Sequence, residues 1–273
     1  MAEIPPSQAA GIPAHPSGHP WNYGLFHSEP REGLIESGRQ TTYHRTAVMG
    51  WRDWIRTVEI EPSIYAADFS RLGEQLDVLL RTGARVFHFD VGDGHFVEPI
   101  TMGPIVLQSV ADLVHGMKGV FDCHLMVDNP VRHFPQIAAA GGDSVTFHYE
   151  AVEDVPATIA AAREHGLEVG LAFNPETGVD AVVQVAYGVD FVLCMSIHPG
   201  YSGQEFMPEA LERIRQLRAA LPENVYVQVD GGIDNDNVRA VYDAGASLIV
   251  AGTSIFGGED LPRSYRRLVQ ALA

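Results

Sequence analysis

Val86-Phe87-His88-Phe89-Asp90-Val91-Gly92-Asp93-Gly94 is a short apolar run that carries a histidine and an aspartate two residues apart near its end. On a β-strand, residues i and i+2 share a face, so His88 and Asp90 project together. The pattern recurs at Phe121-Asp122-Cys123-His124-Leu125-Met126, where Asp122, His124 and Met126 share a face, and a further apolar run, Val225 to Gly232, ends in Val229-Asp230-Gly231-Gly232. Imidazoles and carboxylates delivered from several strand ends converge on one point when those strands line a barrel.

Outward from these segments, β-rich runs occupy 60–66, 86–91, 119–126, 144–149, 168–173, 190–197, 225–230 and 247–252, with amphipathic stretches such as Phe69 to Thr82 and Pro208 to Leu221 between them. Phe191-Val192-Leu193-Cys194-Met195 and Leu248-Ile249-Val250-Ala251 are nearly continuous apolar runs, as expected of parallel strands buried on both faces. The alternation predicts an α/β chain whose residues 59–273 form a (β/α)8 TIM barrel. An open doubly wound sheet is the alternative that alternation alone also allows.

Residues 1–58 read differently, as a largely irregular N-terminal extension punctuated by Pro5, Pro6, Pro13, Pro16, Pro20 and Pro30. Trp21, Tyr23, Leu25, Phe26, Trp51 and Trp54 give it anchors that a plain linker does not need. Its histidines lack tight ligand spacing. The 18 Lys+Arg against 35 Asp+Glu give a formal charge of −17, which repels phosphate backbones and argues against nucleic-acid binding. No membrane span and no secretory leader are legible. The two cysteines, Cys123 and Cys194, sit in apolar runs as reduced thiols, so a cytoplasmic location is expected.

Two constellations carry chemistry. His88, Asp90, His124 and Asp230 offer two imidazoles and two carboxylates, a set that suits one divalent metal ion such as zinc, iron or manganese without choosing among them. His148, with Glu150 at i+2, is a further ligand, a group behind the ligands, or a packed structural histidine. The second constellation is a series of glycine-rich turns, Pro199-Gly200-Tyr201-Ser202-Gly203-Gln204, Gly231-Gly232 and Gly252-Thr253. Glycine lets backbone N–H groups approach an anion, and loops after the late strands of a (β/α) barrel often hold phosphate.

At these residues the chain resembles the ribulose-phosphate 3-epimerase family from Glu59 to the C-terminus. The matching segments are Pro62-Ser63-Ile64 with Ala67-Asp68-Phe69, His88-Phe89-Asp90 with Asp93-Gly94-His95-Phe96-Val97, and Asp122 to Met126. Asn174-Pro175, Met195-Ser196, Pro199-Gly200 with Gly203-Gln204, Val229 to Gly232 and Ala251-Gly252-Thr253 follow. The resemblance implies a metal-dependent barrel that inverts C3 of a ketose phosphate, most simply interconverting D-ribulose 5-phosphate and D-xylulose 5-phosphate through a cis-enediolate. It implies His88, Asp90, His124 and Asp230 as metal ligands, with Asp90 and Asp230 also the catalytic acid/base pair. Ser63, His124, Met126 and Met195 are then expected at the sugar. Gly200, Gly203, Gln204, Gly231, Gly232, Gly252 and Thr253 are expected around the phosphate. A homo-oligomer is implied as well.

Departures from the family pattern cluster near the site. Gly92 stands where a methionine is usual, Tyr65-Ala66 replace Leu-Ser, His198 replaces Asn, and Glu98-Pro99 replace Pro-Asn. One expectation is that Tyr65 fills the space left at Gly92; the other is a wider pocket that takes a hexulose phosphate such as D-allulose 6-phosphate. A non-catalytic sugar-phosphate-binding barrel is a rival of another class, disfavoured because Asp90 and Asp230 are both present. A lyase or decarboxylase would want a lysine among the strand-end groups. Lys118, the only lysine, precedes the third strand.

Overall fold

β-Branched and aromatic side chains from Glu59 onward form the predicted strands: β1 (Glu59–Pro62), β2 (Val86–Gly92), β3 (Val120–Met126), β4 (Ser144–His148), β5 (Glu168–Phe173), β6 (Phe191–Met195), β7 (Tyr226–Asp230) and β8 (Leu248–Ala251). The structure, a computed structural model, describes residues 57–272. The irregular segment expected over 1–58 therefore lies, but for its last two residues, outside the described part.

All ladders are parallel, in the order β1-β8-β7-β6-β5-β4-β3-β2. The two ends of that order meet at a parallel bridge between Ser63 and His88, which brings the sheet round into a nearly closed barrel. An open sheet leaves those ends apart. Helices α1 (Leu72–Thr82), α2 (Pro104–Gly116), α3 (Phe134–Ala140), α4 (Val155–Glu164), α5 (Val179–Val185), α6 (Ala210–Ala220), α7 (Val238–Ala244), α8 (Thr253–Phe256) and α9 (Leu261–Ala271) alternate with the strands or follow the last one. Pro at the first turn of α2, α4 and α9 starts each helix without wasting a backbone donor. Among the described residues no helix is long and apolar enough to cross a membrane.

Outward-facing strand residues such as Phe87, Phe89, Phe121 and Phe147 are fully buried and belong to the main core. Inside the barrel, Val86, Val120, Phe191 and Leu248 form an apolar plug with Tyr226 against it. Gly170 makes room for it: a Cβ there would lie 2.3 Å from the Phe191 ring.

Above the plug the interior turns polar. Gln228 Nε2 on β7 donates to Asp122 Oδ2 on β3 at 2.8 Å and to Glu61 Oε2 on β1 at 2.5 Å. Strands β7 and β3 are four places apart in the ladder, so that bond crosses the barrel interior. Ser144 and Thr146 hydroxyls donate to the other oxygen of Asp122. Burial, then the charge of Asp122, pushes Glu61 well above the usual carboxylate range. This polar layer is the floor on which the site stands.

Candidate active site

β2 and β3 pair in register, His88 beside Asp122 and Asp90 beside His124, so the i, i+2 spacing on two strands becomes a square of polar groups. His88 Nδ1 lies 2.9 Å from Asp122 Oδ2, which turns Nε2 towards the opening of the barrel. There Nε2 is 3.2 Å from Asp90 Oδ1, 3.3 Å from His124 Nδ1 and 4.0 Å from Asp230 Oδ2. His124 Nδ1 is 3.1 Å from Asp90 Oδ1. The other Asp90 oxygen, Oδ2, accepts from Ser63 Oγ at 2.7 Å.

The donor set fits a divalent metal. One atom from each of His88, Asp90, His124 and Asp230 lies within 4.8 Å of all the others. Nitrogen and oxygen ligands about 2.0–2.2 Å from a tetrahedral ion stand about 3.3 Å from one another, close to the spacings seen here. The charges point the same way. Burial alone would lower His88, but Asp90 beside it and the bond to Asp122 outweigh burial and hold it well above the ordinary imidazole range. Burial likewise opposes ionisation of Asp90, and His88 and His124 overcome it, leaving Asp90 far below the carboxylate range. Asp230, half-buried, goes the other way, up to about 7, because desolvation and the charges of Asp90 and Asp122 outweigh the pull of His88. Protons on His88 and Asp230 supply the positive charge that a cation in the cluster would replace.

A cavity opens directly above. Ser63, Asp90, Met126, Met195 and Asp230 line its inner end, and Gly200, Gly203, Gly231, Gly232, Gly252 and Thr253 line its outer end. These residues were all expected at the substrate or as ligands, and the barrel brings them together. Met126 and Met195 are almost fully buried and, with Ile197 and Val250, make the inner wall apolar. Gly232 has φ +64°, and a Cβ there would lie 2.4 Å from the Phe206 amide nitrogen, so only glycine carries the backbone this close.

Two expected contacts sit elsewhere. Gln204 donates its side-chain amide to His198 O at 2.7 Å and Tyr201 O at 2.9 Å, stapling its own loop. His124 is buried behind Asp90 and does not line the cavity. Tyr201, Ser202 and Ile233 line it without having been singled out. Tyr201 and Ser202 fall inside a quoted glycine-rich turn, but spacing alone does not tell which side chains of such a turn face inward.

The widening expected at Gly92 is absent. A Cβ there would lie 2.8 Å from Pro99 O and about as close to Val97 and Thr101. The loop after β2 folds back because Asp93 Oδ1 accepts from His95 N and Phe96 N, while Thr101 Oγ1 accepts from Gly92 N and donates to Asp90 O. That loop occupies the room, so Tyr65 does not fill it; Tyr65 lines the cavity instead. His198 is largely exposed and pairs with Glu176 at 3.2 Å, and Glu98 accepts from Tyr201 Oη at 3.3 Å. Both contacts tie the loop after β6 to its neighbours.

Fold and site together define a (β/α)8 barrel that presents a two-His, two-Asp cluster beneath a glycine-lined cavity. The ribulose-phosphate 3-epimerase family model matches residues 59–256. The chain belongs to the ribulose-phosphate 3-epimerase family. The ribulose-phosphate 3-epimerase of Escherichia coli K12 is 40% identical over 216 residues, covering 78% of this chain and 93% of its own. That of Schizosaccharomyces pombe is 41% identical over 198 residues, covering 72% of this chain and 86% of its own. Among solved structures, 3-hexulose-6-phosphate synthase from Salmonella typhimurium superposes with TM-score 0.61 at 16% identity, over 78% of this chain and 98% of that one. It shares the fold.

Proposed function

We propose that the protein epimerises D-ribulose 5-phosphate and D-xylulose 5-phosphate at C3, with Asp90 and Asp230 as its acid/base pair and a divalent metal at His88, Asp90, His124 and Asp230. The observation that carries this reading is the placement of two carboxylates, Asp90 and Asp230, in the lining of one cavity, both within a cluster that also holds His88 and His124. Two carboxylates that share one cavity can take a proton from a carbon between them and return one to it.

In one direction Asp90 removes the C3 proton, and the C–H electron pair moves into the C2 carbonyl to give a planar enediolate. Asp230 then delivers a proton to the opposite face of C3, and the reverse reaction exchanges the two roles. His88, Asp90, His124 and Asp230 would hold a divalent ion whose positive charge would steady the negative charge left by C3 deprotonation. Ser63 holds Asp90 in place through its 2.7 Å bond, and Met126 and Met195 keep water from the carbanionic carbon. Backbone at Gly203, Gly232, Gly252 and Thr253 receives the phosphate, so its binding energy orients C3. Phosphate held by backbone amides also answers the net charge of −17, since it needs no basic patch.

The zinc, iron or manganese identity of the metal, the homo-oligomeric state and the cytoplasmic location belong to the same proposal. Two buried free thiols, Cys123 and Cys194, support a reducing compartment. The test is proton exchange at C3 in deuterated water, followed by NMR, with ribulose 5-phosphate and allulose 6-phosphate offered separately to metal-replete protein. Deuterium at C3 together with xylulose 5-phosphate is the expected result. Absence of exchange with ribulose 5-phosphate would sink the assignment.

A further inference from the structure

His148 ends β4, and nothing in the reaction above uses it. Its ring is fully buried, lies against His124 with centroids 5.0 Å apart, and is covered on its other side by Phe96, centroids 4.7 Å apart. Nε2 of His148 stands 2.8 Å from Nε2 of His124. Two ring nitrogens at that separation share one proton, so one ring donates and the other accepts.

Which ring donates is set from the far end. His148 Nδ1 has no hydrogen bond but faces Glu150 Oε2 at 3.4 Å, the nearest charged group. Glu150 is itself held in place, because its Oε1 accepts from Asn174 N at 2.8 Å and from the Thr177 hydroxyl. An ionised carboxylate only accepts, so it favours a proton on His148 Nδ1. His148 Nε2 then carries a lone pair, and the shared proton belongs to His124 Nε2. That leaves the lone pair of His124 on Nδ1, the nitrogen that lies 3.1 Å from Asp90 Oδ1 and 3.3 Å from His88 Nε2. The opposite arrangement turns a lone pair of His148 against the Glu150 carboxylate and puts a proton on His124 Nδ1, where it would bond Asp90 Oδ1 and leave no lone pair for a metal.

We propose that His148 and Glu150 are positioning residues that fix His124 in the tautomer whose Nδ1 binds the metal; the inference rests on reading His124 as a ligand. His148 is then neither a ligand nor simple packing. It does for His124 what Asp122 does for His88, through one more ring.

The test compares wild type with H148L, H148Q and E150Q by zinc affinity, in competition with a chromophoric chelator, and by long-range 15N–1H NMR of the imidazoles in zinc-loaded protein. H148L, which has no acceptor, is expected to bind zinc about 10- to 100-fold more weakly. H148Q, whose amide oxygen accepts from His124 Nε2, recovers most of that loss, a rescue that lost packing alone does not predict. In wild type, His124 shows a protonated Nε2 and a zinc-bound Nδ1. Wild-type zinc affinity in H148L, or zinc on His124 Nε2, overturns the proposal and leaves the metal site standing. A wild type that binds no zinc overturns both. If H148L does not fold, E150Q decides, with weakened zinc binding expected and unchanged binding contrary to the proposal.

Discussion

Asp90 and Asp230 sit a few ångströms from the same His88 nitrogen and yet titrate apart, because Asp90 has two imidazoles beside it and Asp230 faces two carboxylates across a buried space. Asp90→Asn and Asp230→Asn each remove one of the two proton carriers and are expected to lower kcat by at least about 10²- to 10⁴-fold, read in a coupled assay. A variant within a few-fold of wild type would show that the carboxylate is not an acid/base group. The same charges predict the pH dependence of metal binding. His88 and Asp230 hold protons below neutrality and must release them to become ligands, so zinc affinity falls as pH drops through about 7, with protons released on binding. Calorimetry in buffers of different ionisation enthalpy counts those protons, and a pH-independent affinity would contradict the assignment. Three of the four ligand candidates, His88, Asp90 and His124, were legible because i, i+2 spacing survives translation into strand geometry, and Asp230 because it closes an apolar run ahead of two glycines. The Glu61–Gln228–Asp122 layer beneath them was not, since only closure of the barrel brings β1, β7 and β3 together.

Among the elements, strands were read more truly than the turns that leave them. The run predicted over 60–66 stops as β1 at Pro62 and tightens into a 3₁₀ turn over Ile64–Ala66, where Ile64 is buried in the main core. The helix predicted from Phe69 begins at Leu72, because Asp68 accepts from Ser70 N and holds one more tight turn ahead of it. An apolar run reports burial, and burial does not distinguish a strand from a turn packed on its end. The loop after β2 shows the consequence for function. Thr101 joins that loop to the backbone on either side of Val91, and Gly92 is the position against which the loop closes. Gly92→Met restores the residue usual in the family but forces Pro99 and Val97 to move. It is expected to cost about 1–3 kcal/mol, seen as a lower urea midpoint at unchanged slope. Unchanged stability would show that the loop yields freely and that Gly92 does leave usable room.

At the scale of the whole molecule, the described residues that line the cavity all lie between Ser63 and Thr253, and the family match begins at residue 59, where Glu59 N donates to Ser247 O and opens the first ladder. Among the described residues, all eight strands of the barrel lie at Glu59 or later. The extension is nevertheless not a bare linker in composition, since Trp21, Tyr23, Leu25 and Phe26 carry apolar area that gains stability only when covered. Removing residues 1–50 is therefore expected to leave kcat/KM for ribulose 5-phosphate unchanged while shifting the melting temperature or the mass measured by light scattering. The two readouts separate the possible roles. Loss of turnover with melting and mass intact would assign the extension to the active face, and no change in any of the three would show that its aromatic residues cover nothing on the barrel.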